Sequence, residues 1–232
     1  TATGAPVEGS AFAFQANVVD PGLAYGETFT FSWNFGSGWV SGAQTQPHVF
    51  ADSGPYSVSV RATGSHGGND TSPDFPVTVA NAAPIATISP VGTVNEGQTI
   101  TFNGSFTDPA GALDTSYTYV WQLDGATIGS SSVATYNPAV PLSINRAMGS
   151  GGHTITLQVT DADGGASNLA SLAFTVNNVA PTVAIPTSGL AYEGQIVSFN
   201  GSFSDPGQAY GETYTYSWNY GDGNSETTPN AA

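Results

Sequence analysis

The sequence predicts an all-β protein made of tandem antiparallel β-sandwiches, the third copy incomplete. Three observations carry this. Apolar and polar residues alternate along short runs, Gly, Pro, Asn and Asp punctuate those runs, and one set of markers recurs three times at fixed spacing.

The markers start with Glu-Gly, at Glu8-Gly9, Glu96-Gly97 and Glu193-Gly194. Asp-Pro follows each Glu by 12 residues, at Asp20-Pro21, Asp108-Pro109 and Asp205-Pro206, and a Trp follows each Asp by 13, at Trp33, Trp121 and Trp218. The Glu-to-Glu distances are 88 and 97 residues, so the second copy carries a net nine-residue insertion after its Trp. These periods predict repeats at 1–80, 81–178 and 179–232. Their linkers, Asn81-Ala82-Ala83-Pro84 and Asn177-Asn178-Val179-Ala180-Pro181, are short and end in proline, which predicts semi-rigid connections.

In chain order, each copy is expected to open with a strand marked by Phe12/Phe14, Ile100/Phe102 or Val197/Phe199. The Asp-Pro turn comes next. A central strand then alternates as Phe29, Phe31, Trp33, Phe35 in copy one, Tyr117, Tyr119, Trp121, Leu123 in copy two, and Tyr214, Tyr216, Trp218, Tyr220 in copy three. The three Trp residues at its heart are expected in the core. A later strand is marked by Tyr56-Val58-Val60 and Ile155-Leu157-Val159. Several short strands per copy with turns between them are the pattern of a sandwich, and no stretch has a 3.6-residue period.

Composition excludes several functions. Arg61 and Arg146 are the only cations against 17 acids, a net charge of −15, so a partner recognised by phosphate neutralisation, nucleic acid above all, is excluded, and docking on an anionic membrane is disfavoured. Cysteine is absent, which removes disulfides, thiolate metal sites and cysteine nucleophiles. No apolar run reaches the roughly 18 residues of a membrane span. Charged residues are only 8% of the chain, so Ser, Thr, Asn, Gln and Gly must keep the surface wet, as suits an extracellular, cell-surface or secreted protein. Thr1 in place of an initiator Met suggests a processed product or a window from a longer protein.

The segments Trp33-Asn34-Phe35-Gly36-Ser37-Gly38 and Trp218-Asn219-Tyr220-Gly221-Asp222-Gly223 resemble the Trp-x-Phe-Gly-Asp-Gly signature of PKD domains. His48-Val49-Phe50 and Gly54-Pro55-Tyr56-Ser57-Val58-Ser59-Val60 resemble that family's closing Gly-x-Tyr-x-Val strand. Copy two diverges, with Trp121-Gln122-Leu123-Asp124-Gly125 in place of the glycine-rich turn and His153 where copy one has Tyr56. The resemblance implies Ig-like sandwiches found in arrays on extracellular proteins. Copy one is expected to begin within its first strand, and copy three stops at Ala232, soon after its Gly-Asp-Gly turn. Either the parent chain continues or strands of another subunit complete copy three.

Catalysis is not expected. His48, His66 and His153 share no spacing, and no Gly-x-Ser-x-Gly, His-Glu-x-x-His or P-loop pattern occurs. Alternating strand direction instead places the Glu-Gly turn of one copy against the Asp-Pro loop and last hairpin of the next. At the first junction this gathers Glu8, Asn81, Asp108 and the pair Asp161/Asp163, and at the second Glu96, Asn177, Asn178 and Asp205. An oxygen-only set is what a hard cation such as Ca²⁺ prefers, and the arrangement resembles that between cadherin repeats, without the cadherin motifs. The alternative is ordinary turn chemistry, with the Glu solvated, since Asp-Pro-Gly and Asp-Gly make turns without any ion.

Tyr25, Trp39 and Tyr210 could lie in loops and stack on a surface glycan, or cover the sandwich rim. Sequons occur at Asn69-Asp70-Thr71, Asn103-Gly104-Ser105 and Asn200-Gly201-Ser202. The reading that results is a non-enzymatic extracellular structural or adhesive module forming a rod, surface layer or filament, its partners other repeats or subunits of the same protein. The competing reading is an accessory carbohydrate- or protein-binding module of a secreted hydrolase.

Overall fold

The structure, a computed structural model, describes residues 4–134, 136–137, 142–186 and 189–230. Among them there is no α-helix, and the only helical turns are short 3-10 segments at Pro21–Tyr25, Gly111–Leu113 and Pro206–Tyr210. The chain is all-β.

Repeat one is built from β1 (Ala11–Gln15), β2 (Phe29–Asn34), β3 (Trp39–Gly42), β4 (Thr45–Val49), β5 (Gly54–Gly64), β6 (Asn69–Thr71) and β7 (Phe75–Val79). One layer pairs β1 with β4. In the other, β2 lies between β3 and the second half of β5, while β6 and β7 pair with different halves of β5. The alternation in the sequence works as it must on a pleated strand: Phe31, Trp33 and Phe35 point inward, where they share one core with Phe14 and Phe50 of the facing layer and with Val58 and Val77 of their own. The Trp33 indole N–H donates to the Ala43 carbonyl at 2.9 Å, so its one polar atom is satisfied. His48 lies against the Phe35 ring at 3.8 Å, and burial lowers its pKa.

Repeat two contains β8 (Ile85–Ile88), β9 (Val94–Asn95), β10 (Ile100–Thr107), β11 (Tyr117–Leu123), β12 (Ala126–Val133), β13 (Leu142–Arg146), β14 (Gly151–Thr160) and β15 (Ala170–Asn177). Its sheets run β13-β10-β8 and β12-β11-β14-β15-β9. Phe102, Tyr117, Trp121, Ile155, Leu157 and Val159 are buried completely or nearly so between them. The extra residues of this copy fall between Trp121 and Met148, where β12 follows β11 along its whole length with a bulge at Trp121/Gln122. The β9–β15 pairing is parallel, Val94 beside Val176 and Asn95 beside Asn177, and it sets Glu96 next to the outgoing linker.

Repeat three contains β16 (Thr182–Ala184) paired with β17 (Ser202–Ser204), and β18 (Tyr214–Asn219) paired with β19 (Ser225–Asn230). Here one expectation fails. Val197 and Phe199 form no strand and stand exposed, although Phe14 and Phe102 at equivalent places are buried in β1 and β10. A strand persists only when paired. The stretches that hold Phe14 and Phe102 pair with β4 and β13, and among the described residues of repeat three there is no counterpart of either. Trp218, Tyr216 and Tyr220 consequently line an open cleft with Phe199 rather than a closed core.

Candidate functional site at the repeat junctions

The two junctions are built alike, starting from a tight turn. Glu8 N donates to Ala80 O and Gly9 N to Phe50 O; at the second junction Glu96 N donates to Asn177 O and Gly97 N to Met148 O. Gly9 and Gly97 have φ of 68° and 73°, a region that favours glycine, and a Cβ on either would collide with the ring of Pro109 or Pro206 in the next repeat. The turn therefore presses the preceding Glu into the interface. Glu8 is 1% and Glu96 2% exposed, so these glutamates are not solvated turn residues.

One carboxylate oxygen of each Glu clamps the linker. Ala82 N donates to Glu8 Oε1 at 2.9 Å, and Val179 N donates to Glu96 Oε1 at 2.6 Å. The other oxygen, Oε2, is buried without a hydrogen-bond partner in both. The Asp-Pro turn repeats the division. Asp108 Oδ1 accepts from Ala110 N and Gly111 N, and Asp205 Oδ1 from Gly207 N, while both Oδ2 atoms are buried and unpartnered. Ordinary turn chemistry accounts for the first oxygen of each Asp but not for the second.

Further acids close the first site. Asp161 accepts from Gly165 N through Oδ1 and from the Asn81 amide through Oδ2, at 2.7 and 2.9 Å, leaving Asn81 Oδ1 buried and unpartnered. Asp163 is exposed and accepts from Ser53 Oγ across the interface at 2.8 Å. Asp114, buried, accepts from the Tyr117 hydroxyl at 3.2 Å. Asp108, Asp114 and Asp161 offer carboxylate oxygens within 4.8 Å of one another, as do Asp52, Asp114 and Asp163. At the second junction Glu96, Asp205 and Glu212 do so. Glu212 also accepts from Ser150 Oγ of the preceding repeat at 3.1 Å and from the Tyr214 hydroxyl at 3.2 Å.

Electrostatics follow from crowding like charges out of water. Burial raises the pKa of Glu8, reinforced by the charges of Asp108 and Asp52. Burial likewise raises Asp108, with Asp161 adding to it. Asp114 is pushed up to about 6, by burial first and by Asp108, Asp161 and Asp163 as well. No arginine relieves them: the ion pairs among the described residues are His66 with Glu27 and His153 with Asp124.

Of the residues singled out in the sequence, Glu8, Asn81, Asp108 and Asp161 come together at the first junction, with Asp163 at its outer edge. Glu96 and Asp205 come together at the second. Asn178, the counterpart of Asn81, is exposed, and among the described residues of repeat three no hairpin matches the one that brings Asp161 to Asn81. Asn177 contributes through its backbone carbonyl to Glu96. Sequence reasoning missed Asp52, Asp114 and Glu212. The ring candidates for a glycan separate: Tyr25 is fully out in solvent, Tyr210 packs on Gly149 of the preceding repeat, and Trp39 lies on β3 rather than in a loop, with the Arg61 guanidinium over its face at 4.6 Å.

The family model for the PKD domain matches residues 2–79, 81–176 and 178–232. The chain belongs to the PKD domain family. Modules of this family are β-sandwiches, typically extracellular and non-catalytic. No curated protein sequence matches the chain. Among solved structures, the fibronectin(III)-like modules of Clostridium thermocellum CbhA align at 19% identity and a TM-score of 0.35, over 74% of this chain and 90% of that one. Among the described residues of these PKD repeats, no helix is long and apolar enough to cross a membrane.

Proposed function

We propose that this chain is a non-enzymatic structural segment of an extracellular or cell-surface protein, a rod of PKD modules that spaces or links other parts, with Ca²⁺ held at its junctions. What carries the reading is an arrangement made twice: a buried Glu and a buried Asp from neighbouring repeats, each satisfied at one oxygen and bare at the other. An unpaired buried acceptor is costly, and a chain with two arginines and no lysine supplies no compensating cation at these places. Carboxylate and amide oxygens suit Ca²⁺, which tolerates irregular geometry. The ion would cancel the repulsion between acids and fix the angle between repeats, while the Trp-centred cores keep each module folded.

Differential scanning calorimetry in EDTA and in CaCl2 tests this. A ligand that binds only the native state stabilises it by about 2.7 kcal/mol at a hundred times its Kd. Calcium should raise the unfolding temperature of the native chain, and Asp161→Ala with Asp163→Ala should blunt the rise while leaving the unfolding enthalpy of the cores intact. An unfolding temperature indifferent to calcium would sink the proposal.

A further inference from the structure

The acids of the first junction form two groups, not one. Asp108, Asp114 and Asp161 belong to repeat two alone, whereas the second group joins Asp52 of repeat one to Asp114 and Asp163 of repeat two. Oxygens bound to one Ca²⁺ at about 2.4 Å can lie no more than about 5 Å apart, so each triad has the span of one ion. Asp114 is common to both.

Resting on the calcium reading above, we infer that the first junction binds a pair of Ca²⁺-type cations bridged by the Asp114 carboxylate, whereas the second binds one, at Glu96, Asp205 and Glu212.

Three unpartnered atoms point to the inner ion. Glu8 Oε2, Asp108 Oδ2 and Asn81 Oδ1 are buried with no hydrogen-bond partner, and Glu8 as a whole is only 1% exposed. Asp108, Asp114 and Asp161 supply three oxygens within the span of one ion, Asn81 meets Asp161 directly and Glu8 faces Asp108, with water completing the six to eight ligands that Ca²⁺ takes. Glu8 also faces both groups, since it feels the charges of Asp108 of the inner triad and of Asp52 of the outer. The outer position has fewer protein ligands. Asp163 there is exposed and Asp52 half-buried, so the outer ion binds more weakly and keeps more water.

Charge decides for two ions at one junction and one at the other. Glu8, Asp52, Asp108, Asp114, Asp161 and Asp163 lie together without an ion pair among the described residues, so a single dication would leave most of that charge in place. At the second junction Glu96, Asp205 and Glu212 are nearly balanced by one. The outer ion is the one that bridges repeat to repeat through Asp52 and Asp163, reinforcing the hydrogen bond from Ser53 to Asp163.

The test is a count. The intact chain, stripped with EDTA, is titrated with CaCl2 alone, and bound ions are counted by native mass spectrometry and isothermal titration calorimetry. Three ions are expected for the native chain, the weakest lost on Asp52→Asn with Asp163→Asn, and one remaining after Asp114→Asn. Circular dichroism of each variant establishes that it is folded. A native count of two, or a count unmoved by Asp52→Asn with Asp163→Asn, overturns the pair while leaving calcium at the junctions intact. No bound calcium at all overturns both readings.

Discussion

Gly9 and Pro109 meet across the first junction with no room between them for a side chain, and Gly97 stands in the same relation to Pro206. The contact is what turns a surface loop into a joint. It seats Glu8 and Glu96 where their carboxylates reach the linker on one side and the next repeat's Asp on the other.

Gly9→Ala should therefore open the joint and spare the modules. The left-handed φ alone costs a non-glycine residue about 1–2 kcal/mol, and the collision with Pro109 adds to it. Limited proteolysis should show faster cleavage in the 81–84 linker, with the near-ultraviolet circular dichroism of the Trp cores unchanged.

Glu8→Gln should act in opposite directions with and without calcium. Its carbonyl can still accept from Ala82 N, but its amide replaces the bare Oε2 and removes a charge facing Asp108 and Asp52. Thermal melts should show the variant at least as stable as the native chain in EDTA, and less stable in CaCl2, with calcium affinity reduced about tenfold or more.

The metal-free chain should lose stability as pH rises through the range in which Asp114 ionises. Its carboxyl has an ordinary value of 3.8 and is pushed to about 6 in the fold, so between these values the folded state holds a proton that the unfolded state has released. The contribution is fully present near pH 4 and lost above about pH 6; Glu8 and Asp108, raised for the same reason, act in the same direction. Calcium, which needs the ionised carboxylates, should reverse the slope. Melting temperatures from pH 4 to 7.5, in EDTA and in CaCl2, measure both.

Trp121→Ala should cost about 3–5 kcal/mol, the usual range for removing a buried aromatic, because Trp121 is 1% exposed between two sheets. Trp33→Ala should cost as much. Trp218→Ala should cost far less, its ring lying in the open cleft of repeat three. Urea denaturation of the three variants gives the comparison.

What the sequence made legible depended on how local each signal was. Phe31, Trp33 and Phe35, or Tyr117 and Trp121, could be placed inside from alternation alone, because a pleated strand with one buried face leaves no other register. Glu8 and Asp108 could be brought together because a fixed 12-residue spacing and strand direction fix which loops share an end. Asp114 escaped because it lies one residue short of the position held by Glu27 and Glu212, so the copies do not align there. Glu212 had a signal, the tetrapeptide Tyr-Gly-Glu-Thr that copies one and three share, but copy two lacks it, so the repeat pattern does not mark its Glu. Val197 and Phe199 read as a strand because pattern records which face a residue prefers and not whether a partner strand is there to pair with it.

Small-angle X-ray scattering of the intact chain, recorded in EDTA and again in CaCl2, tests most directly whether the junctions are cation-held joints. Calcium should narrow the distribution of interdomain distances, so that one fixed arrangement of the repeats fits the curve, and Asp161→Ala with Asp163→Ala should remove that change. Superimposable curves in the two buffers would contradict it.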